Sequence, residues 1–377
     1  VSIGADGTLD TPNLQSFTYS SLTLGADQTF NHGVITDVDY SALHVREGAS
    51  LVITGAESYT NTRTDHRANL TLLSADGQNS RLELPSMRTF TSSSYGNYNI
   101  FYYDVAATND AVIDLSSVES IHGAGQDDWL RFWIDSGGEI KLPSLRSATG
   151  RVRFDVGSDG MLSLGDVAVT QTTHLNLTHA NAHVTVAGSL YLDGASQLSM
   201  ASGSMMEIEG ALYYAYTDPG KLDTASAILH FNGSGIQFLE VGGEDMGVDG
   251  SLAGNFGIGR LLVGQEDQPT TVLPLDLFDS GNRTGGAHEA LYLYGVGGLD
   301  GLELLGGSTL VLDGINVYSY DVDLGEMVYL NGLIPPGATK AAYAGGYVAL
   351  PVPEPSSVVL LAVAALVGMF YHRRRRR

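Results

Sequence analysis

Short apolar-polar-apolar triplets punctuate the first half of the chain. They are Leu51-Val52-Ile53, Leu82-Glu83-Leu84, Ile113-Asp114-Leu115, Ile140-Lys141-Leu142 and Leu162-Ser163-Leu164, the first with an apolar middle. Successive starts lie 31, 31, 27 and 22 residues apart. In the last four, another apolar residue follows three positions on: Met87, Val118, Leu145 and Val167. A second series precedes most of these by about ten residues: Leu70-Thr71-Leu72, Phe101-Tyr102-Tyr103, Leu130-Arg131-Phe132, Val152-Arg153-Phe154 and Leu175-Asn176-Leu177. The rhythm continues less regularly through Val184-Thr185-Val186, Leu198-Ser199-Met200 and Met206-Glu207-Ile208. Alternation at period two sends the outer side chains one way and the middle one the other. One triplet cannot bury its apolar side alone. Stacked coils can, by lining a continuous interior column. The expected fold is therefore all-β: a right-handed parallel β-helix (β-solenoid), with irregular spacing absorbed by loops outside the coil. A β-sandwich also uses short alternating strands and is the competing architecture.

After about residue 250 the texture changes. Residues 290–294, 302–305, 308–312, 315–320 and 327–330 read as closely spaced strands with Gly-rich turns. The expected organisation is a β-solenoid body over 1–250 and a C-terminal β region over 251–334. That region would cap the solenoid, whose open end exposes an apolar column and unpaired strand edges. Residues 335–355, rich in Pro, Gly and Ala, read as a linker. Residues 358–371 then form an uncharged run of 14, or 16 counting Ser356 and Ser357. As a helix it would span roughly 24 Å, short of the ~30 Å hydrocarbon core. A buried core helix is normally amphipathic, whereas this run is apolar on every face. The arginines that follow snorkel, and a positive cluster stays on the cytoplasmic side. Residues 356–377 are thus expected to be a single hydrophobic helix anchored in the membrane, with the body on the opposite face. A solvated charge run or nucleic-acid tail is the bland reading of Arg373 to Arg377, and the adjoining apolar run argues against it.

Charge sharpens this picture. The chain has 19 basic and 42 acidic residues, net −23. Five of the basic ones are Arg373 to Arg377 and no acidic residue follows Glu354, so the body carries 14 basic against 42 acidic, or −28. Such a surface repels nucleic acid and favours solubility. With no cysteine, disulfides, zinc-thiolate sites and cysteine nucleophiles are excluded. The chain starts at Val1 rather than Met, and the expectation is that an export leader has been removed or lies outside this sequence.

Pro353-Glu354-Pro355, the short apolar span and the terminal Arg373, Arg374, Arg375, Arg376 and Arg377 occur in that order. Together they resemble the PEP-CTERM sorting signal of exported bacterial proteins. The resemblance implies recognition by exosortase, a membrane enzyme that processes the tail near Pro353, Glu354 and Pro355. It also implies an extracytoplasmic body and an association with the surface, exopolysaccharide or biofilm material. Residues 257–264 and 289–295 resemble the region preceding this tail in other PEP-CTERM proteins. The phrases Leu84-Pro85-Ser86-Met87-Arg88 and Leu142-Pro143-Ser144-Leu145-Arg146 resemble β-helical leucine-rich domains of the receptor-L type, over two coils only.

Candidate chemistry in the body is sparse. His122, Asp127, Asp128 and Arg131 form the cluster nearest to a catalytic set, because β-helical polysaccharide lyases and hydrolases use carboxylates, Arg and sometimes Ca²⁺. An Asp-rich turn entering a strand is the plainer reading, since adjacent side chains on a strand point apart. His174, His179 and His183 would make a metal site only if His174 and His183 lay on successive strands; solvent-facing strand positions are the simpler expectation. Acidic turns at Asp76-Gly77, Asp159-Gly160, Glu244-Asp245 and Asp249-Gly250 match no EF-hand or nonapeptide repeat. Turn chemistry accounts for Asp-Gly, with incidental Ca²⁺ as the alternative to no cofactor at all. Tyr95, Tyr98, Tyr102, Tyr103, Tyr213, Tyr214 and Tyr216 are expected as an exposed set able to stack on sugars, or else as packed strand residues. The sequence thus points to a non-enzymatic surface or matrix protein. A β-helix polysaccharide-active enzyme and a carbohydrate-binding module remain the alternatives.

Overall fold

The leading residues of the five triplets stand in a single register. Leu51 pairs with Leu82, Leu82 with Ile113, Ile113 with Ile140, and Ile140 with Leu162, always across parallel strands. Val184, Met206, Leu229, Leu261 and Leu302 continue the column. All ten side chains are buried. This computed structural model describes residues 3, 6–64, 68–95, 100–125, 127–248, 255–278 and 289–351. Over that range the chain winds as a parallel β-solenoid with three sheets, called I, II and III in the order a coil visits them.

The triplets form sheet II. The second series forms sheet I, in which Leu130 pairs with Val152, Phe132 with Phe154, Phe154 with Leu175 and Leu175 with Leu198. The long strand Leu222–Phe231 pairs with Gln197–Met200 of sheet I and Met205–Ile208 of sheet II, which joins the two into one sheet of 22 strands. Sheet III was not legible as a separate series. Its rungs Ser120–His122 and Ser147–Thr149 carry one inward residue each, Ile121 and Ala148. These pair with each other, and on either side with Phe90 and Val169.

The corner between sheets II and III explains the repeated Leu-Pro-Ser phrase. The amide of Met87 donates to the carbonyl of Leu84 at 3.1 Å, that of Val118 to Leu115 at 3.0 Å, and that of Leu145 to Leu142 at 3.0 Å. Proline sits at the second position of the turn, where its fixed φ is already correct. The Ser117 hydroxyl donates to Pro85 O on the preceding coil at 2.6 Å. One coil on from Pro143 the corner residue is Gly165, and a Cβ there would run into the carbonyl oxygen of Pro143. The corner between sheets I and II uses left-handed backbone instead, at Glu47, Asn109, Asp110 and Asp159 among others. Asn and Asp tolerate that region better than most residues.

The coil interior is closely stacked. Tyr59 stacks on Phe90 at 4.6 Å between centroids, Phe90 meets Phe132 edge-on at 6.1 Å, and Phe132 stacks on Phe154 at 5.0 Å. Such a column stabilises each coil only through its neighbours.

Residues beyond 250, expected to cap the coil, extend its ladders. Leu229, Leu261 and Leu302 remain in register on sheet II, and Val272, Leu310 and Val348 on sheet III. The stretch 335–355, expected as a linker, holds the strands Lys340–Tyr343 and Gly346–Ala349 as an antiparallel hairpin. Its second strand pairs with Thr309–Val311. Ala344 and Gly345 both take positive φ, as a two-residue hairpin turn requires. Composition misled here because small residues serve a tight turn as readily as a linker. A second antiparallel hairpin, Asn316–Asp321 with Glu326–Tyr329, also lies in this last part of the coil. Helix among the described residues is confined to three short 3-10 turns, Pro219–Lys221, Leu305–Gly307 and Leu330–Leu333.

Candidate functional site

The outward face of sheet I carries a band of polar and aromatic side chains. Period-two alternation in Trp129–Asp135 puts Leu130, Phe132 and Ile134 inside and Arg131, Trp133 and Asp135 outside. Arg131 grips Asp104 of the preceding coil with both ends of its fork, Nε to Oδ1 at 2.8 Å and Nη2 to Oδ2 at 2.9 Å. Its guanidinium also lies 4.5 Å from the ring centre of Tyr102 and 5.4 Å from that of Trp133. One coil on, Asp155 accepts from Arg153 Nε at 2.7 Å and from Asn176 Nδ2 at 2.9 Å. The Arg131–Asp104 pair is bidentate and largely shielded, unlike an ordinary surface ion pair. Asp104→Asn is therefore expected to destabilise the protein by about 1–3 kcal/mol, measured by denaturant unfolding. A loss below about 0.5 kcal/mol would mean that the pair acts as solvated surface charge.

Beside this network the band drops into a cleft of about 420 Å³. Its floor and ends come from one register column: His44, Ser74, Ala106 and Trp133, each paired with the next. The two middle residues are small and the two ends carry rings. Trp133 is 40% exposed, in contrast to Trp129 on the same strand at 7%. His44 Nδ1 lies 2.7 Å from Ser74 Oγ, and burial pushes its pKa down, which favours the neutral ring. The next column, Asp76, Thr108 and Asp135, forms a polar side wall. Asp76 Oδ1 accepts from Thr108 Oγ1 at 2.8 Å and Asn109 Nδ2 at 2.7 Å, and Asp135 Oδ1 accepts from the amides of Ser136 and Ser158, both at 2.8 Å. Nothing in the sequence marked Trp133 beyond its outward phase, because its neighbours in the cleft come from three other coils.

The cluster His122, Asp127, Asp128 and Arg131 is not brought together. His122 is exposed at the end of a sheet III rung, with Nδ1 2.9 Å from Thr149 Oγ1. Asp127 is exposed with φ +61°, while Asp128 is buried and accepts from the amide of Phe101 at 3.0 Å. His122, Asp128 and Arg131 each hold a separate partner in a turn or strand. His174 and His183 do open successive strands, His174–Leu177 and His183–Val186, but the two strands belong to different sheets. His174 stands on sheet I against the ring of Trp129, 4.6 Å between centroids, and burial followed by the charges of Arg153 and Arg151 lowers its pKa. His183 stands on sheet II, 3.5 Å from Glu207 Oε1, and His179 reaches Thr178 at 3.1 Å. Among the described residues no group of three or more His, Asp or Glu is placed to hold a metal.

Two of the acidic turns have evident structural tasks. Asp159 lies at a left-handed corner, and Asp245 accepts from Tyr318 at 2.8 Å and from Asn316 Nδ2 at 2.6 Å. Asp249-Gly250 lies outside the described residues. The tyrosines expected to be exposed mostly are not. Tyr103, Tyr213, Tyr214 and Tyr216 are buried, and Tyr102 is half-buried beside Arg131. The Tyr216 hydroxyl lies 3.1 Å from Ser196 Oγ, so its polar end is satisfied inside. The side chain of Tyr95 and all of Tyr98 lie outside the described residues.

Sequence reasoning also missed Glu240, the last residue of Gly235–Glu240, which is fully buried. Its Oε1 accepts from the amides of Leu277 at 2.9 Å and Phe278 at 2.8 Å, while Oε2 has no hydrogen-bond partner. Burial pushes its pKa up to about 8 against the pull of those two amides, and the charge of Glu289 adds to the rise.

At its C-terminal end the coil gives its last strand, Gly346–Ala349, to sheet III, and the chain leaves toward Pro351. Residues 351–377 match the family model of the PEP-CTERM protein-sorting motif. The chain carries a PEP-CTERM sorting signal. That signal implies an exported protein, processed by exosortase and held at a membrane by its C-terminus. Pro353, Glu354 and Pro355, Arg373 to Arg377 and the hydrophobic helix expected over 356–377 lie outside the described residues. Among the described residues no helix is long and apolar enough to cross a membrane. No curated protein matches this PEP-CTERM chain, and no solved structure does.

Proposed function

We propose that this chain is a structural or adhesive component of the bacterial surface or extracellular matrix, associated with exopolysaccharide or biofilm material. A stiff acidic β-solenoid stands off the membrane on a C-terminal anchor. The observation that carries this reading is the junction between coil and signal. The last strand ends at Ala349, and the sorting motif begins at residue 351. One residue, Leu350, separates the coil from the sorting motif. Residues 356–377 act as a transmembrane helix, with Arg373 to Arg377 on the cytoplasmic side, following the distribution of positive charge around membrane spans. Right-handed winding follows from the strong preference of parallel crossover connections for that hand.

The proposal contains no catalytic step and no cofactor. It is supported by the separate structural tasks of His122, Asp128 and Arg131, which keep that candidate cluster from converging on one substrate. Cell fractionation with intact-mass measurement tests the sorting part. The mature surface form is expected to lack the residues after Pro355. Quantitative retention of Arg373 to Arg377 in that form would overturn exosortase processing.

A further inference from the structure

We propose that the cleft on sheet I bounded by Trp133 is a binding site for a neutral glycan, with a pyranose ring stacked on the Trp133 indole. An outward aromatic on a β-surface normally packs against neighbours in the same column. Here the preceding positions in that column are Ala106 and Ser74, which leave room beside the ring rather than filling it. His44 closes the far end, three strand spacings away, so the floor is about 14 Å long. That length suits a disaccharide unit lying along the coil axis.

The indole is held in place by protein on its other side. The Arg131 guanidinium beside it is fixed by both oxygens of Asp104. The stacking surface is thus formed before any ligand arrives, which lowers the entropy cost of binding. The side wall supplies what sugar hydroxyls need. Asp76 and Asp135 are acceptors, the second amide hydrogen of Asn109 and the Ser136 hydroxyl bring donors, and Thr108, whose proton goes to Asp76, accepts. The same wall selects the class of ligand. Two carboxylates line the cleft of a body that carries a net −28, by its 14 basic and 42 acidic residues before the tail. Uronic-acid chains and sulfated glycans would meet like charge, whereas a neutral chain would not.

The site is a property of the folded coil and does not rest on the sorting proposal. Failure of one therefore leaves the other standing. Tryptophan emission reads it directly, because the chain has only two tryptophans and Trp129→Phe leaves Trp133 as sole reporter. The probes are cellohexaose, maltohexaose, laminarihexaose and, as the anionic comparison, hexagalacturonic acid. At least one neutral hexaose is expected to give a saturable shift of Trp133 emission, and hexagalacturonic acid none. In the otherwise natural chain, Trp133→Ala is expected to weaken that binding about tenfold or more by calorimetry, with little change in unfolding midpoint. Ala106→Phe fills the trough while keeping Trp133, and is expected to abolish binding. The proposal fails if no neutral hexaose perturbs Trp133, if the acidic probe binds as well as the neutral ones, or if Trp133→Ala binds like the natural protein.

Discussion

Replacing Phe132 with alanine is expected to destabilise the protein by about 3–5 kcal/mol, the usual cost of removing a buried aromatic ring. Phe132 is fully buried and sits at a crossing in the core. It stacks on Phe154 within sheet I at 5.0 Å and meets Phe90 of sheet III edge-on at 6.1 Å. Phe90 is itself stacked on Tyr59 at 4.6 Å. Rings flanking the void cannot collapse into it, because each backbone is pinned by parallel pairing on both sides. The fold adds a second signature. Coils contact chiefly their neighbours, so a weak coil is expected to split the molecule into two cooperative blocks. Urea unfolding followed by circular dichroism is expected to show an earlier first transition for Phe132→Ala. A single transition shifted by less than about 1 kcal/mol would refute this account of the core.

Glu240→Gln is expected to be stabilising at alkaline pH and nearly neutral at pH 5. The carboxyl has an ordinary pKa of 4.5, raised to about 8 in the folded protein, first of all by burial. Between those two values the folded state keeps a proton that the unfolded chain releases. Stability from this group is therefore intact below pH 4.5, declines as pH rises, and is fully lost above pH 8. The slope is about 1.4 kcal/mol per pH unit for one proton, which makes roughly 5 kcal/mol an upper figure for the whole window. Glutamine keeps an oxygen to accept from Leu277 and Phe278 but carries no charge to desolvate. At pH 9 the variant should exceed the natural protein by a few kcal/mol in urea unfolding. Equal stability differences at pH 5 and pH 9 would show that Glu240 does not titrate in this way.

The two sheets read from the sequence were legible because their rungs repeat an apolar-polar-apolar phrase. Leu82, Ile113, Ile140 and Leu162 each announce themselves by alternation alone. Sheet III escaped because a rung such as Ser147–Thr149 needs only Ala148 inside, and one small residue gives no period. The tyrosines stayed open between exposed and packed for a related reason. Alternation assigns a phase to Tyr103 or Tyr214 but not which phase is inward, and a satisfied hydroxyl makes burial tolerable. The hairpin over 340–349 was hidden by its small residues.

The sequence by itself determined the all-β coil, the acidic body and the sorting signal, because each is written in local order: a period, a charge count, a three-part tail at residues 351–377. Only the tertiary structure decided that His44, Ser74, Ala106 and Trp133 share one column, and that Glu240 is sealed from water. The physical reason is that coil length varies along this chain. Which residues become neighbours is fixed by the register of parallel pairing between coils, a long-range quantity that no short window of sequence contains.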